Sequence, residues 1–320
     1  MFIPEKNTAT LSHDIEDYPD GIVLVVDKPY RWTSADVIRK VKWLACRHFG
    51  KKNLKVGHAG TLDPLATGVL LVCIGNATKK AEQLQAHDKE YIAGVSFGAT
   101  TPSYDLEKDI DRRFPVDGVT EEAVRKALEG FLGEQEQVAP LFSAKSVDGV
   151  RAYEIARKLY RKAQQGRPCG SDSQQNILKD SGGNACEEEL SSTFDSQAEQ
   201  LLRTARIRID RADLLAFSPE GTAKFAPKTE PDYSGLSPEE IERAREKDSR
   251  INIVDISPLR LPLAEIRLSC TKGTYVRAFA RDLGESLGGG AFLSYLTRSR
   301  SGDFSLSESL SLNDITRLFA

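Results

Sequence analysis

The stretch Lys55-Val-Gly-His-Ala-Gly-Thr-Leu-Asp-Pro-Leu-Ala-Thr-Gly-Val-Leu-Leu-Val-Cys-Ile-Gly75 constrains the fold more than any other. From Val69 to Ile74 it is an uninterrupted apolar run of strand length, stopped by Gly75 and Asn76, which predicts a strand buried on both faces. The preceding half, with Gly57 and Gly60 bracketing His58, reads as a loop. Pro64 disfavours the α region for the residue before it, so Asp63 is expected to be extended at the foot of the strand. No lysine or arginine lies close to Asp63 in sequence. Glycines beside it would let a backbone or flat ligand approach. The ordinary reading of such an Asp-Pro is a carboxylate satisfying turn amides. Only distant parts of the chain can give it another role.

The rest of the 320-residue chain supplies an α+β pattern. Gly21–Asp27 is β-branched and reads as a buried strand, and Ser34 is placed to cap a helix to about Cys46. Thr78 is placed to cap a short helix ending near Ala86. Tyr91, Ala93, Val95 and Phe97 alternate on one strand face, and Thr100–Asp111 is a polar loop. Thr120 opens a helix with Val124, Ala127, Leu128 and Phe131 on one stripe, and Gln135–Gly149 reads as irregular. Ala152–Arg161 returns to helix. Strands are expected at Arg203–Phe217, Ile251–Asp255 and Leu263–Cys270. Thr274 is placed to cap a helix ended by Gly288-Gly289-Gly290, and a short helix follows from Leu312. Strands follow one another without regular β-α alternation. The expected fold is therefore α+β, a mixed, mostly antiparallel central sheet with flanking helices.

Two segments interrupt this pattern. Residues 162–200 are polar and almost without aromatics, and 218–250 are proline-bearing and then highly charged; both read as insertions. Residues 1–20 read as a flexible acidic segment, 21–310 as the main domain and 311–320 as a terminal helix. The net charge is −3, but 1–20 and 162–200 each carry −4, which leaves the remainder at +5. Arg47, Lys51, Lys52 and Lys55 concentrate that charge just ahead of the Asp63 stretch, as solvated surface or as a phosphate contact. The five cysteines are widely spaced and do not cluster with the four histidines, so free thiols are expected and no metal site or cofactor. No apolar run is long enough to span a membrane, and the N-terminus lacks a signal-peptide pattern, so a cytoplasmic protein without membrane contact is expected.

The Lys55–Leu70 stretch resembles the central motif of the TruB family of tRNA pseudouridine synthases, which act on uridine 55 of the T-loop. Asp27-Lys-Pro29 with Trp32-Thr-Ser34, Asp88-Lys-Glu-Tyr91 and Thr101–Asp105 resemble further family motifs. So do Pro140–Ala144, Asp148–Arg157, Cys270–Arg277 and Gly290–Arg298, all in family order. The resemblance implies the pseudouridine synthase fold, with Asp63 as catalytic nucleophile. It implies Tyr91 as the aromatic packing on the uracil and base for the final proton, and Arg277 as the partner of Asp63. Leu296 would line the pocket, His58 would help extrude the nucleotide, and Lys28 and Gly60 would lie by the substrate. The implied partner is the tRNA T-arm, bound by a monomer without a protein partner, and the family's C-terminal PUA domain is not expected in this sequence. The sequence departs from the pattern at Arg31, where glycine is usual, at Lys145, one place early, and at Thr297 and Ser301. A flipped uracil needs a flat ring to stack on, and a carboxylate in an apolar pocket needs a cation such as guanidinium. A non-catalytic tRNA-binding or folding protein on the same scaffold, or a synthase with another RNA target, are the alternative readings.

Overall fold

The Val69–Ile74 run forms the larger part of β3 (Ala66–Ile74), which pairs antiparallel with β1 (Ile22–Lys28) in the computed structural model. The structure describes residues 1–140, 146–147, 150–151, 204–221, 237–248 and 253–320. Alternation along β1 sends Ile22, Leu24 and Val26 into the main core, and Val23 and Val25 into a second cluster on the opposite face. Both faces of this sheet are covered, as the unbroken apolar run requires.

The chain divides into two compact units, residues 1–135 with 207–320, and residues 136–206. In the first, the sheet is built around β4 (Lys89–Phe97), β11 (Leu263–Cys270) and β12 (Ala291–Ser301), ordered β1-β3-β12-β4-β11. Every pair is antiparallel except β12 with β3. β10 (Thr204–Ser218) pairs antiparallel with β11, and β7 (Gly133–Val138) is a further strand; both cross the boundary between the two units. In the second unit, the described residues include a small hairpin, Ser146–Val147 with Val150–Arg151.

The described residues hold six α-helices. They are α1 (Ser34–His48), α2 (Ala81–Ala86), α3 (Glu121–Glu129), α4 (Pro238–Asp248), α5 (Val276–Ser286) and α6 (Leu312–Leu318). Val37, Val41 and Leu44 of α1, Val124 and Leu128 of α3, and Phe279 and Leu283 of α5 meet Tyr91, Ala93, Val95 and Phe97 of β4 in one cluster. Burying four such side chains on one strand face is worth roughly 1.5–3 kcal/mol each for the larger ones.

Several expectations are corrected. The cap of α1 is Thr33, in a reciprocal capping box with Asp36, because the Ser34 hydroxyl is engaged with Leu62 instead. Thr78 donates to the Gly75 carbonyl within a 3₁₀ turn (Gly75–Lys80), and Thr274 donates to the Thr271 carbonyl, so neither caps a helix. Val56–His58 is a short strand, β2, on β3 rather than a loop, and β3 itself starts three residues early at Ala66. Gly133–Val138 is a strand, while 253–256 is not. The N-terminal segment is packed in part: Phe2 bridges to Ile22 and Leu11 is buried, its amide donating to the Leu318 carbonyl. The Ala152–Arg161 helix, the 162–200 insertion and Lys145 lie outside the described residues.

Strand registers place Lys28, Gly68, Arg298 and Tyr91 in one row across β1, β3, β12 and β4. Gly68 sits at φ +96, and a Cβ there would stand 2.3 Å from the Arg298 carbonyl oxygen. Gly68→Ala therefore combines left-handed strain with a backbone clash, and we expect a loss of about 3–5 kcal/mol in urea unfolding.

Candidate active site

Asp63 is pinned through its two neighbours. The Ser34 hydroxyl accepts from the Leu62 amide at 2.9 Å and donates to the Leu62 carbonyl at 3.1 Å. On the other side, the Pro64 carbonyl accepts from the Arg31 amide at 2.9 Å and from Lys28 Nζ at 3.3 Å. Arg31 adopts φ +64, the left-handed conformation glycine would take, so the turn is kept despite the departure in sequence. The Asp63 carbonyl closes the turn by accepting from the Ala66 amide.

The pinned carboxylate is presented to solvent, with its side chain 42% exposed. Arg277, on the first turn of α5, is buried and brings Nε to 2.9 Å from Asp63 Oδ2. The same guanidinium donates from Nη1 to the Ser103 carbonyl at 3.0 Å and stands 3.7 Å from Asp105 Oδ2. Burial alone would lower the pKa of Arg277, but Asp63 and Asp105 outweigh it and the net direction is up. The pair lies in a cleft lined by Leu65, Ala66, Leu106 and Leu296. Apolar walls reduce screening of the ion pair on that side.

Asp105 is the second carboxylate. Burial pushes it up to about 6, against Arg277, the Ser103 hydroxyl and the Glu107 amide, which favour the charged form. Its Oδ1 accepts from Ser103 Oγ at 2.6 Å and from the Glu107 amide at 2.9 Å. Tyr104, between these residues, is held at φ +55 with its ring 5.4 Å from Arg281.

The row across the sheet forms the other wall. Arg298 is 1% exposed; Nε donates to the Val69 carbonyl at 2.6 Å and Nη2 to the Gly60 carbonyl at 3.2 Å. Gly60, at φ +96, turns that carbonyl toward it. Burial raises the Tyr91 phenol, and Arg298 opposes the shift. Burial lowers His58, with Arg298 adding to the effect, and His58 Nδ1 is buried without a hydrogen-bond partner among the described residues. Lys28 is fully buried and donates to the Pro29, Trp32 and Pro64 carbonyls. Burial lowers its ammonium to about 7, Asp63 opposing. β12 is bulged on β4 at Leu293/Tyr295 and at Arg298/Arg300, so both Leu296 and Arg298 lie on the segment between irregularities.

Asp63, Arg277 and Leu296 thus meet in one cleft; Lys28 reaches the Pro64 carbonyl beside Asp63, and Tyr91 stands in the sheet row beside Arg298, apart from the residues that line the cleft. His58 and Gly60 gather around Arg298. Sequence reasoning did not single out Asp105 or Arg298. A buried arginine in a strand that starts Ala-Phe-Leu was the available signal for Arg298, and the Thr/Asp loop for Asp105. Among the described residues no three His, Cys, Asp or Glu side chains are grouped to hold a metal ion, and no helix is long and apolar enough to cross a membrane.

Residues 47–170 match the family described as TruB family pseudouridylate synthase (N terminal domain). The chain is 38% identical to the tRNA pseudouridine synthase B of Phocaeicola vulgatus, over 92% of each chain. Identity to the same-named protein of Bacteroides thetaiotaomicron is 40%, over 92% of this chain and 91% of that one. For Thermus thermophilus it is 37%, over 91% and 76%. Among solved structures, one of a Cbf5-Nop10-Gar1 complex superposes with a TM-score of 0.51 at 21% identity, covering 98% of this chain and 62% of that chain, a likeness of fold. Sheet order, cleft and relatives together place the molecule among the isomerases that make pseudouridine. The chain belongs to the TruB family of pseudouridylate synthases.

Because the folded state holds the Asp105 proton up to about pH 6 and an unfolded aspartate releases it near 3.8, this group's contribution to stability falls as pH rises between those values. Relative to Asp105→Asn, the wild type should lose about 2–3 kcal/mol between pH 4 and pH 7. Urea midpoints of both proteins at each pH unit across that range measure the difference.

Proposed function

We propose that this enzyme converts uridine 55 in the T-loop of tRNA to pseudouridine, with Asp63 as nucleophile. The observation that carries the reading is the half-exposed Asp63 carboxylate braced at 2.9 Å by a buried arginine, at the mouth of an apolar cleft. Support for tRNA comes from the relatives named tRNA pseudouridine synthase B over nearly the whole chain. The conversion breaks a carbon–nitrogen bond between ribose and uracil, turns the base, and joins carbon to carbon; the ring carbon that forms the new bond loses a proton and the ring nitrogen freed from ribose takes one up. Atoms and electrons balance without a co-reactant.

In this reading Asp63 attacks the flipped nucleotide while Arg277 balances its charge and fixes the direction of its oxygens. Asp105 and the Ser103 carbonyl hold Arg277 from behind. Leu296 packs on the base and Tyr91 supplies the aromatic face. Burial raises the Tyr91 phenol, which lowers the share of phenolate present at neutral pH, and Arg298 opposes that shift. Lys28 acts by positioning: its contacts are to backbone carbonyls, one of them Pro64 next to the nucleophile. His58, with its unpartnered ring nitrogen, fills the space the extruded uridine leaves.

Incubating the protein with unmodified tRNA transcript and mapping pseudouridine by position tests the proposal. Conversion is expected at position 55. Asp63→Asn should cut single-turnover conversion by about 10³-fold or more while RNA binding persists. Binding without conversion by the wild type would leave a tRNA-folding role, and conversion in another RNA alone would move the target. Arg277→Lys keeps a charge but not the flat fork. It should slow conversion by roughly 10- to 150-fold, about 1.5–3 kcal/mol for a weakened contact between charged groups.

A further inference from the structure

The site leaves unused a strongly basic stretch of the chain. Between Ser34 and Lys55 there are seven lysines and arginines against one aspartate. On α1, Arg39, Trp43 and Arg47 are spaced by four and lie on one exposed stripe. Lys42 is exposed beside them, and Lys51, Lys52 and Lys55 are exposed in the loop that leads to β2 and His58.

Trp43 is 55% exposed, the most exposed large apolar side chain among the described residues. Its ring is not packed on the core. Instead Lys40 Nζ and Arg47 Cζ each stand 5.6 Å from its centroid. Cation–π contact holds the indole between these two cations while its ring stays accessible at the surface.

Acidic groups neutralise only part of the stripe. Asp36 pairs with Arg39, Glu240 of α4 pairs with Lys40 at 2.6 Å, and Glu16 pairs with Lys51 at 3.2 Å. Lys42, Arg47, Lys52 and Lys55 have no carboxylate partner among the described residues. The surface therefore offers one flat ring for stacking, with unneutralised Lys42 beside it, unneutralised Arg47 one helical turn on, and Lys52 and Lys55 in the loop that follows.

We infer that the exposed face of α1, with the loop 50–55, is a second RNA-binding surface, on which an unpaired base stacks on Trp43 while Lys42, Arg47, Lys52 and Lys55 take the flanking phosphates. Sequence-tolerant recognition of single-stranded RNA combines these two elements, stacking on an aromatic and a cationic track for the backbone. The ligand is an RNA segment other than the uridine in the cleft. The inference rests on the RNA-directed reading above, but it does not depend on the chemistry at Asp63.

The test is equilibrium binding of the full chain to unmodified tRNA transcript, followed by tryptophan fluorescence and by filter retention. Trp43 emission should be quenched on binding, and the quench should disappear in Trp43→Phe while its Kd stays close to wild type. Trp43→Ala should raise Kd by about tenfold or more, the loss of one base stack. Lys42→Ala with Arg47→Ala should reduce the slope of log K against log salt by about 1.5. These side chains are exposed, so folding is not at stake, and circular dichroism of each variant checks it. Wild-type quenching equal to that of Trp43→Phe, with Kd of Trp43→Ala within twofold of wild type, would overturn the inference. So would capture of vesicles containing phosphatidylserine that tRNA does not displace. Quenching in a protein that converts no uridine would sink the catalytic reading and leave this surface standing. Conversion at position 55 without quenching would do the reverse.

Discussion

Everything at the cleft depends on one ion pair, Asp63 with Arg277, whose members come from opposite ends of the chain. A buried guanidinium is costly unless each of its faces finds an acceptor. Here the Ser103 carbonyl, Asp105 and Asp63 supply them, so the loop 101–105, the helix α5 and the turn at Pro64 must agree in position before the charge can be buried. The exposure of Asp63 to solvent is the complement of that arrangement. Arg277 is fixed from behind, and the carboxylate is left to face whatever enters.

The surrounding backbone contributes rigidity of a second kind. Ser34 holds Leu62 and Lys28 holds Pro64, so the residue between them has little freedom although it sits in a turn. A fully buried lysine spent on three carbonyls looks wasteful as charge, but its donors replace water for backbone that the cleft has desolvated. Arg298 does the same for Gly60 and Val69 on the other side. The geometry of the cleft is largely a matter of satisfied main-chain groups.

How much of this could be read from the chain differs by element. Strands β1, β3, β4 and β11 were legible because burial on one or both faces writes itself as apolar alternation or an apolar run. β12 was not, since half of it carries serine, tyrosine, threonine and arginine, and its bulges break the alternation. β7 was hidden by its glutamates and glutamines, which an outlying strand tolerates, and β2 by glycine. The capping of α1 was displaced by one residue because Ser34 had a long-range partner that no local rule shows. Asp63 and Arg277 were connected only through resemblance to a family. Nothing local in the sequence brings them together, and Asp105 and Arg298, which brace the site, carry still weaker local signals.

The parallel contact of β12 with β3 has a consequence for how the molecule comes into being. β3 and β4 are close in sequence, yet β12 lies between them and supplies both Leu296 and Arg298. During synthesis at about 5–20 residues per second, the first 100 residues must wait roughly 10–40 s for that strand to emerge. For that interval β3 and β4 lack the strand that joins them, and Arg277 itself emerges only near its end. The chain therefore completes its central sheet and the Asp63–Arg277 cleft in the same late event.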